Sequence, residues 1–201
     1  MRLLFAVDLD DAGRADCAGI GRTLTHRFRL AKIAPDLSWV APEKLHITVR
    51  FIGQMDERRA DAIRAAMANP LPIAPFTAAL DAAGVFPVSG PPRVIWIGIG
   101  EGGSQLARMN EALQGRLAPL DLEPDRRTFS SHLTLARLRR PTRGPESAVV
   151  RRIVAEQIGR SRWTIDHVTL YESRLSPKGA TYNPILSVLL GGREPVPSPE
   201  G

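Results

Sequence analysis

One cysteine, Cys17, is all the thiol chemistry the chain possesses. That excludes an internal disulfide and a thiolate zinc cage, and it fits a reducing compartment, so a cytoplasmic location is expected. Aromatic residues make up only 5% of the sequence, and no pair is spaced as a base-stacking platform, which disfavours a plain single-strand RNA-binding module. Apolar runs stay well short of the roughly 18 residues a membrane helix requires, so no membrane association is expected. Met1 to Asp8 meets acidic residues at once and reads as a first strand, not as a leader. Gly98 to Gly103 fits the spacing Gly-x-Gly-x-x-Gly, but Glu101 would set a negative charge beside a pyrophosphate and no Walker lysine follows. It reads as a turn, with Ser104 as the cap of the next helix. Asp8, Asp10 and Asp11 lack the spacing and closing glutamate of a calcium loop and border the first strand. No metal and no cofactor are expected.

What is abundant is arginine. The formal charge is +6, and the excess thickens through Arg126, Arg127, Arg137, Arg139, Arg140, Arg143, Arg151, Arg152, Arg160 and Arg162, a half that should attract phosphate backbones. Strand patterns lie at Leu3–Leu9, Lys44–Ile52, Phe76–Gly84, Arg93–Ile99, Ser131–Leu138, Trp163–Tyr171 and Ile185–Leu190. Helical spacing occupies Ala12–Leu30, Glu57–Ala68, Ser104–Leu117 and Glu146–Ile158. The chain is therefore α+β, with 1–192 as one domain and 193–201, rich in proline, as a disordered tail. Its two halves share an order of elements, with a His-x-Thr motif in each.

Lys44 to Ile52 alternates in polarity, and successive strand side chains point to opposite faces. His46, Thr48 and Arg50 then share one face, while Leu45, Ile47, Val49 and Phe51 take the core face. The same parity puts His132 and Thr134 together, opposite Leu133 and Leu135. Two imidazoles suit in-line displacement at a phosphodiester: one activates water, the other protonates the departing oxygen, and each contributes typically 10²–10⁴-fold. Threonine hydroxyls and an arginine would hold the nonbridging oxygens.

With 10 threonines in 201 residues, a single His-x-Thr match is roughly a one-in-twenty event for any histidine. Three of the four histidines match. The third, His167-Val168-Thr169, is read as a packed strand histidine, with Ile165 and Tyr171 as neighbours on its face. His26, near a helix end, is read as solvated or favoured by the helix dipole.

These residues resemble the RNA 2′,3′-cyclic phosphodiesterases, also called bacterial 2′-5′ RNA ligases, of the two-histidine phosphoesterase superfamily. The resemblance runs through Leu3–Asp8, Trp39, Leu45–Gly53, Gly84–Pro87, Arg93–Trp96, Phe129–Arg137, Leu170–Ser173 and Gly179–Tyr182. It implies two pseudo-symmetric lobes, each with an antiparallel sheet flanked by helices, and a central cleft carrying both motifs. It further implies His46 as proton donor, His132 as proton acceptor, and Thr48, Thr134 and Arg137 on the phosphate of an RNA end, with a 2′-phosphate as product and 2′-5′ joining as the reverse reaction. Ser131 stands where that family often has proline. Arg137 lies five residues after His132, on the opposite face of an unbroken strand, so its use requires a bulge near Ala136. Arg50 is the alternative by parity. A monomer without protein partners is expected. The rival readings are an enzyme for a small cyclic nucleotide or ADP-ribose cyclic phosphate, and a noncatalytic binder of RNA ends.

Overall fold

Five consecutive residues, Leu3 to Val7, are buried, which sets the first strand in the middle of a sheet with both faces covered. The computed structural model describes residues 1–122, 129–176 and 179–192; Arg126, Arg127 and the expected tail at 193–201 lie outside them. The strands are β1 (Arg2–Asp8), β2 (Leu37–Trp39), β3 (His46–Gln54), β4 (Phe76–Phe86), β5 (Val94–Ile99), β6 (His132–Leu138), β7 (Arg162–Ile165), β8 (His167–Ser176) and β9 (Gly179–Leu189), and the helices are α1 (Asp11–Leu30), α2 (Glu57–Ala66), α3 (Gly103–Leu117) and α4 (Gly144–Ala155).

The sheet runs β7-β4-β5-β6-β3-β1-β8-β9, with β2 beside β6, and every ladder between these strands is antiparallel. It divides into two four-stranded halves, β7-β4-β5-β6 and β3-β1-β8-β9. The seam is β3 against β6, where the register contains a single pair, Ile47 with Leu133. Both residues are fully buried, and at roughly 1.5–3 kcal/mol per buried aliphatic side chain, packing holds this seam more than ladder hydrogen bonds do.

The helices cover one face. Leu24, Phe28, Ile63, Met109, Leu113 and Ile153 join Leu3, Phe5, Val7, Ile47, Ile97 and Leu133 in one core. α1 packs on α4 and β7, while α3 packs on β3 and α2, so each half of the sheet is covered by a helix that follows a strand of the other half. Asp10 starts α1 by accepting the Gly13 amide at 2.7 Å, and Asp56 does the same for α2 with the Arg59 amide. Burial, with the Asp16 charge behind it, pushes the Cys17 thiol up to about 12, so it is inert near neutrality.

Three sequence expectations are corrected. Ser104 does not cap α3; Gly102 holds the cap position at φ 83°, where an added Cβ would stand 2.6 Å from the Thr77 carbonyl oxygen. Trp163–Tyr171 is not one strand: it breaks at Asp166, because β7 pairs with β4 in one half and β8 with β1 in the other. The last strand begins at Gly179, well before the expected Ile185, and its alternation is faint because several of its residues are exposed.

Candidate active site

The two motif strands share a fault in the same place. In β3, Phe5 pairs with Arg50 and Ala6 with Thr48, so the partner skips Val49. In β6, Ile95 pairs with Ala136 and Trp96 with Thr134, so the partner skips Leu135. Each is a bulge, two residues opposing one, and each reverses the parity of the residues just beyond it. Cross-strand partners share a face, so the outcome can be read from the neighbours. Thr48 faces with Ala6 and Phe51 with Leu4, whereas Arg50 faces with the core residue Phe5. Thr134 faces with Trp96 and Arg137 with Val94, whereas Ala136 faces with the core residue Ile95.

Arg137 therefore emerges on the face of His132 and Thr134, through the bulge its use requires. It is exposed and has no carboxylate partner among the described residues. Arg50 is corrected: it turns to the helix side, is only 4% exposed, and donates from Nη1 to the Gln114 side chain of α3 at 3.3 Å. Phe51, expected in the core, stands instead on the motif face at 39% exposure.

The one pair of the seam, Ile47 with Leu133, is flanked by His46 and Thr48 on β3 and by His132 and Thr134 on β6, and an antiparallel count outward from it brings His46 toward Thr134 and Thr48 toward His132. The four side chains lie on one face, about the pseudo-twofold axis of the seam. Diagonal neighbours such as His46 and His132 stand about 7–8 Å apart in a regular ladder, a span that admits a phosphate between them. All four are half-buried.

Both imidazoles are anchored alike. His46 Nδ1 lies 2.9 Å from the Lys44 carbonyl oxygen, and His132 Nδ1 lies 2.8 Å from the Ser130 carbonyl oxygen. A carbonyl only accepts, so each Nδ1 carries the proton and donates it, which leaves each Nε2 as the atom that gains or loses a proton. Each ring also sits among aromatic side chains from its own half. The His46 ring centroid is 4.4 Å from Tyr182 and 6.5 Å from Tyr171; that of His132 is 5.1 Å from Phe86 and 6.3 Å from Trp96.

The environments differ in charge. Asp8 is the cross-strand partner of His46, whereas Gly98 is that of His132. Burial lowers the His46 pKa from its ordinary value, opposed by the hydrogen bond to Lys44 and by the Asp8 carboxylate. Tyr171 donates to Asp8 Oδ2 at 2.7 Å, and its phenol is pushed well up, first by burial and then by that bond and charge.

Tyr171, Tyr182, Phe86, Trp96 and Asp8 received no role from sequence. Tyr171, expected beside His167, belongs to the surroundings of His46. All these residues lie in segments that resemble the family, and that was the available signal. His167 is half-exposed, and its Nδ1 is bonded to the neighbouring Asp166 carboxylate at 2.5 Å.

The family model for the 2′-5′ RNA ligase superfamily matches residues 23–176. The chain belongs to that superfamily. Among members of the 2′-5′ RNA ligase superfamily, an RNA 2′,3′-cyclic phosphodiesterase of Archaeoglobus fulgidus is 33% identical over 183 residues, covering 90% of this chain and 96% of its own. The crystal structure of TT0787 of Thermus thermophilus superposes with a TM-score of 0.79 at 27% identity, covering 96% of this chain and all of the other. Escherichia coli LigT complexed with 3′-AMP superposes at 0.67 and 25% identity, covering 94% and 97%. These superfamily likenesses span both halves of the sheet and so include both motif strands. No helix among the described residues is long and apolar enough to cross a membrane.

Proposed function

We propose that this chain hydrolyses RNA ends bearing a 2′,3′-cyclic phosphate to a 2′-phosphate. The observation that carries the reading is the matched anchoring of His46 and His132, which leaves two Nε2 atoms on one sheet face, related by the seam between the halves. The name shared by curated relatives, RNA 2′,3′-cyclic phosphodiesterase, supports it, as does the capture of LigT with a 3′-phosphorylated nucleoside.

In this mechanism His132 Nε2 takes a proton from water as its oxygen attacks phosphorus. His46 Nε2 gives a proton to the 3′ oxygen as its bond to phosphorus breaks, and the 2′ ester remains. Thr48 and Thr134 donate to the nonbridging oxygens, and Arg137 balances the charge that builds there. The steps need no metal. With a 5′-hydroxyl attacking the same cyclic phosphate, and the 3′ oxygen leaving, the product is a 2′-5′ link, which is the ligation direction. No protein partner enters the scheme, and a monomer suffices because both motifs come from one chain.

The test is incubation with an oligonucleotide ending in a 2′,3′-cyclic phosphate, in excess chelator, followed by analysis of the terminus. A 2′-phosphate is expected, with His46→Ala and His132→Ala each lowering turnover by about 10²–10⁴-fold. A 3′-phosphate product, a requirement for added metal, or full activity in both variants would overturn it.

A further inference from the structure

On the helix-covered side of the sheet, between α1 and the segment after β2, lies a hollow of about 420 Å³. That size is within the range of about 300–1,000 Å³ in which small molecules bind. Its floor is apolar, made by Cys17, Val40, Leu45 and Leu135. Its depth comes from small residues on one stripe of α1, namely Ala18, Gly21 and Thr25, three and four positions apart. At Gly21 an added Cβ would meet the Trp39 ring at 3.4–3.8 Å, so the indole stands over bare helix backbone, and it is 37% exposed.

The mouth is cationic. Arg22, His26 and Arg29 line it at i, i+4 and i+7 of α1, and no acidic residue lines the hollow. The arginines elsewhere on α1 are paired, Arg14 with Asp11 and Arg27 with Glu156. Arg22 and Arg29 have no carboxylate partner among the described residues. Nothing in the scheme for His46 and His132 uses this hollow.

We propose that it is a second ligand site that takes one free nucleotide, its base against Trp39 over the apolar floor and its phosphate among Arg22, His26 and Arg29. A flat ring suits the indole wall, as base stacking on aromatic side chains does elsewhere. A phosphate suits a guanidinium pair, which recognises it by charge-assisted hydrogen bonds. The hollow holds a single unit of that kind, and its occupancy does not depend on the chemistry of the motif face.

The experiment labels the protein with 5-fluorotryptophan, assigns the Trp39 line by Trp39→Phe, and titrates 5′-AMP while following the fluorine spectrum. Saturable movement of the Trp39 line is expected. Arg22→Glu with Arg29→Glu, both exposed and therefore tolerated by the fold, should weaken it about tenfold or more without changing the melting temperature or turnover of a cyclic-phosphate oligonucleotide. Ala18→Leu, which fills the hollow, should do the same. Movement of the Trp96 line alone would overturn the proposal, since the nucleotide would then occupy only the motif face. Equal affinity for adenosine or for inorganic phosphate would also overturn it, by reducing the hollow to an apolar or a bare anion site, as would tighter binding of oligoadenylate or indifference to the charge reversals.

Discussion

Tyr171 donates a 2.7 Å hydrogen bond to Asp8, the residue that stands across the ladder from His46. The pair gives one half of the sheet a negative charge beside its imidazole, while the other half has Gly98 in the matching place. Two motifs that are nearly alike in sequence are thereby made unlike in electrostatics.

This asymmetry has a kinetic reading. If His46 is the acid, it must be protonated in the free enzyme, and burial holds its pKa below the ordinary value. The alkaline limb of kcat/KM should therefore fall on the acid side of about 6.5, the usual imidazole value. Asp8→Asn removes a charge that favours the protonated ring, so it should move that limb to still lower pH. A pH profile of kcat/KM for both proteins checks this, and a limb that shifts upward in Asp8→Asn counts against the arrangement.

The same lowered pKa predicts how stability depends on pH. Below its ordinary pKa, His46 binds a proton more readily in the unfolded chain than in the folded one. Folding stability from this group is therefore complete above about pH 6.5 and declines as pH falls toward the lower folded value. Urea denaturation across that window should show a slope that is smaller in His46→Ala.

Arg137 and Arg50 should separate cleanly. Arg137→Ala should lower kcat/KM by about 10²–10³-fold, the usual cost of losing one donor to transition-state charge, with little change in melting temperature. Arg137→Lys should recover only part, because a point charge does not replace a bidentate fork. Arg50→Met should instead cost about 1–3 kcal/mol of stability, by leaving Gln114 with an unmet acceptor, with the folded enzyme close to normal turnover. Parallel kinetics and thermal denaturation distinguish the two.

Gly84 lies across the ladder from Trp96, and a Cβ there would stand 2.3 Å from the indole. Gly84→Ala must displace the ring that lies beside His132. A loss of about 1–3 kcal/mol in stability is expected from the forced repacking, together with lower turnover. Calorimetry and single-turnover rates measure the two effects.

The motif strands were legible because strand parity is local: His46 with Thr48 and His132 with Thr134 follow from a period of two wherever the ladder is regular. Parity failed at Arg50 and Phe51 because a bulge is an agreement between two strands, and β1, far upstream of β3 along the chain, carries no mark of which residue it will skip. The need for a bulge before Arg137 could be reasoned from the chain; its position between Thr134 and Ala136 came from pairing with β5. The break at Asp166 was hidden for the same reason, since β7 and β8 read as one alternating run until their different partners pull them apart.

By itself, then, the sequence determined the helices, most strands, the two His-x-Thr units and the basic character, all of which depend on neighbours within a few residues. Only the tertiary structure decided the rest: which arginine joins the histidines, which aromatic rings and which carboxylate surround them, and that a cationic hollow opens beside Trp39. Those depend on the order of strands and on two skipped residues, and long-range pairing energies are not written in any one segment.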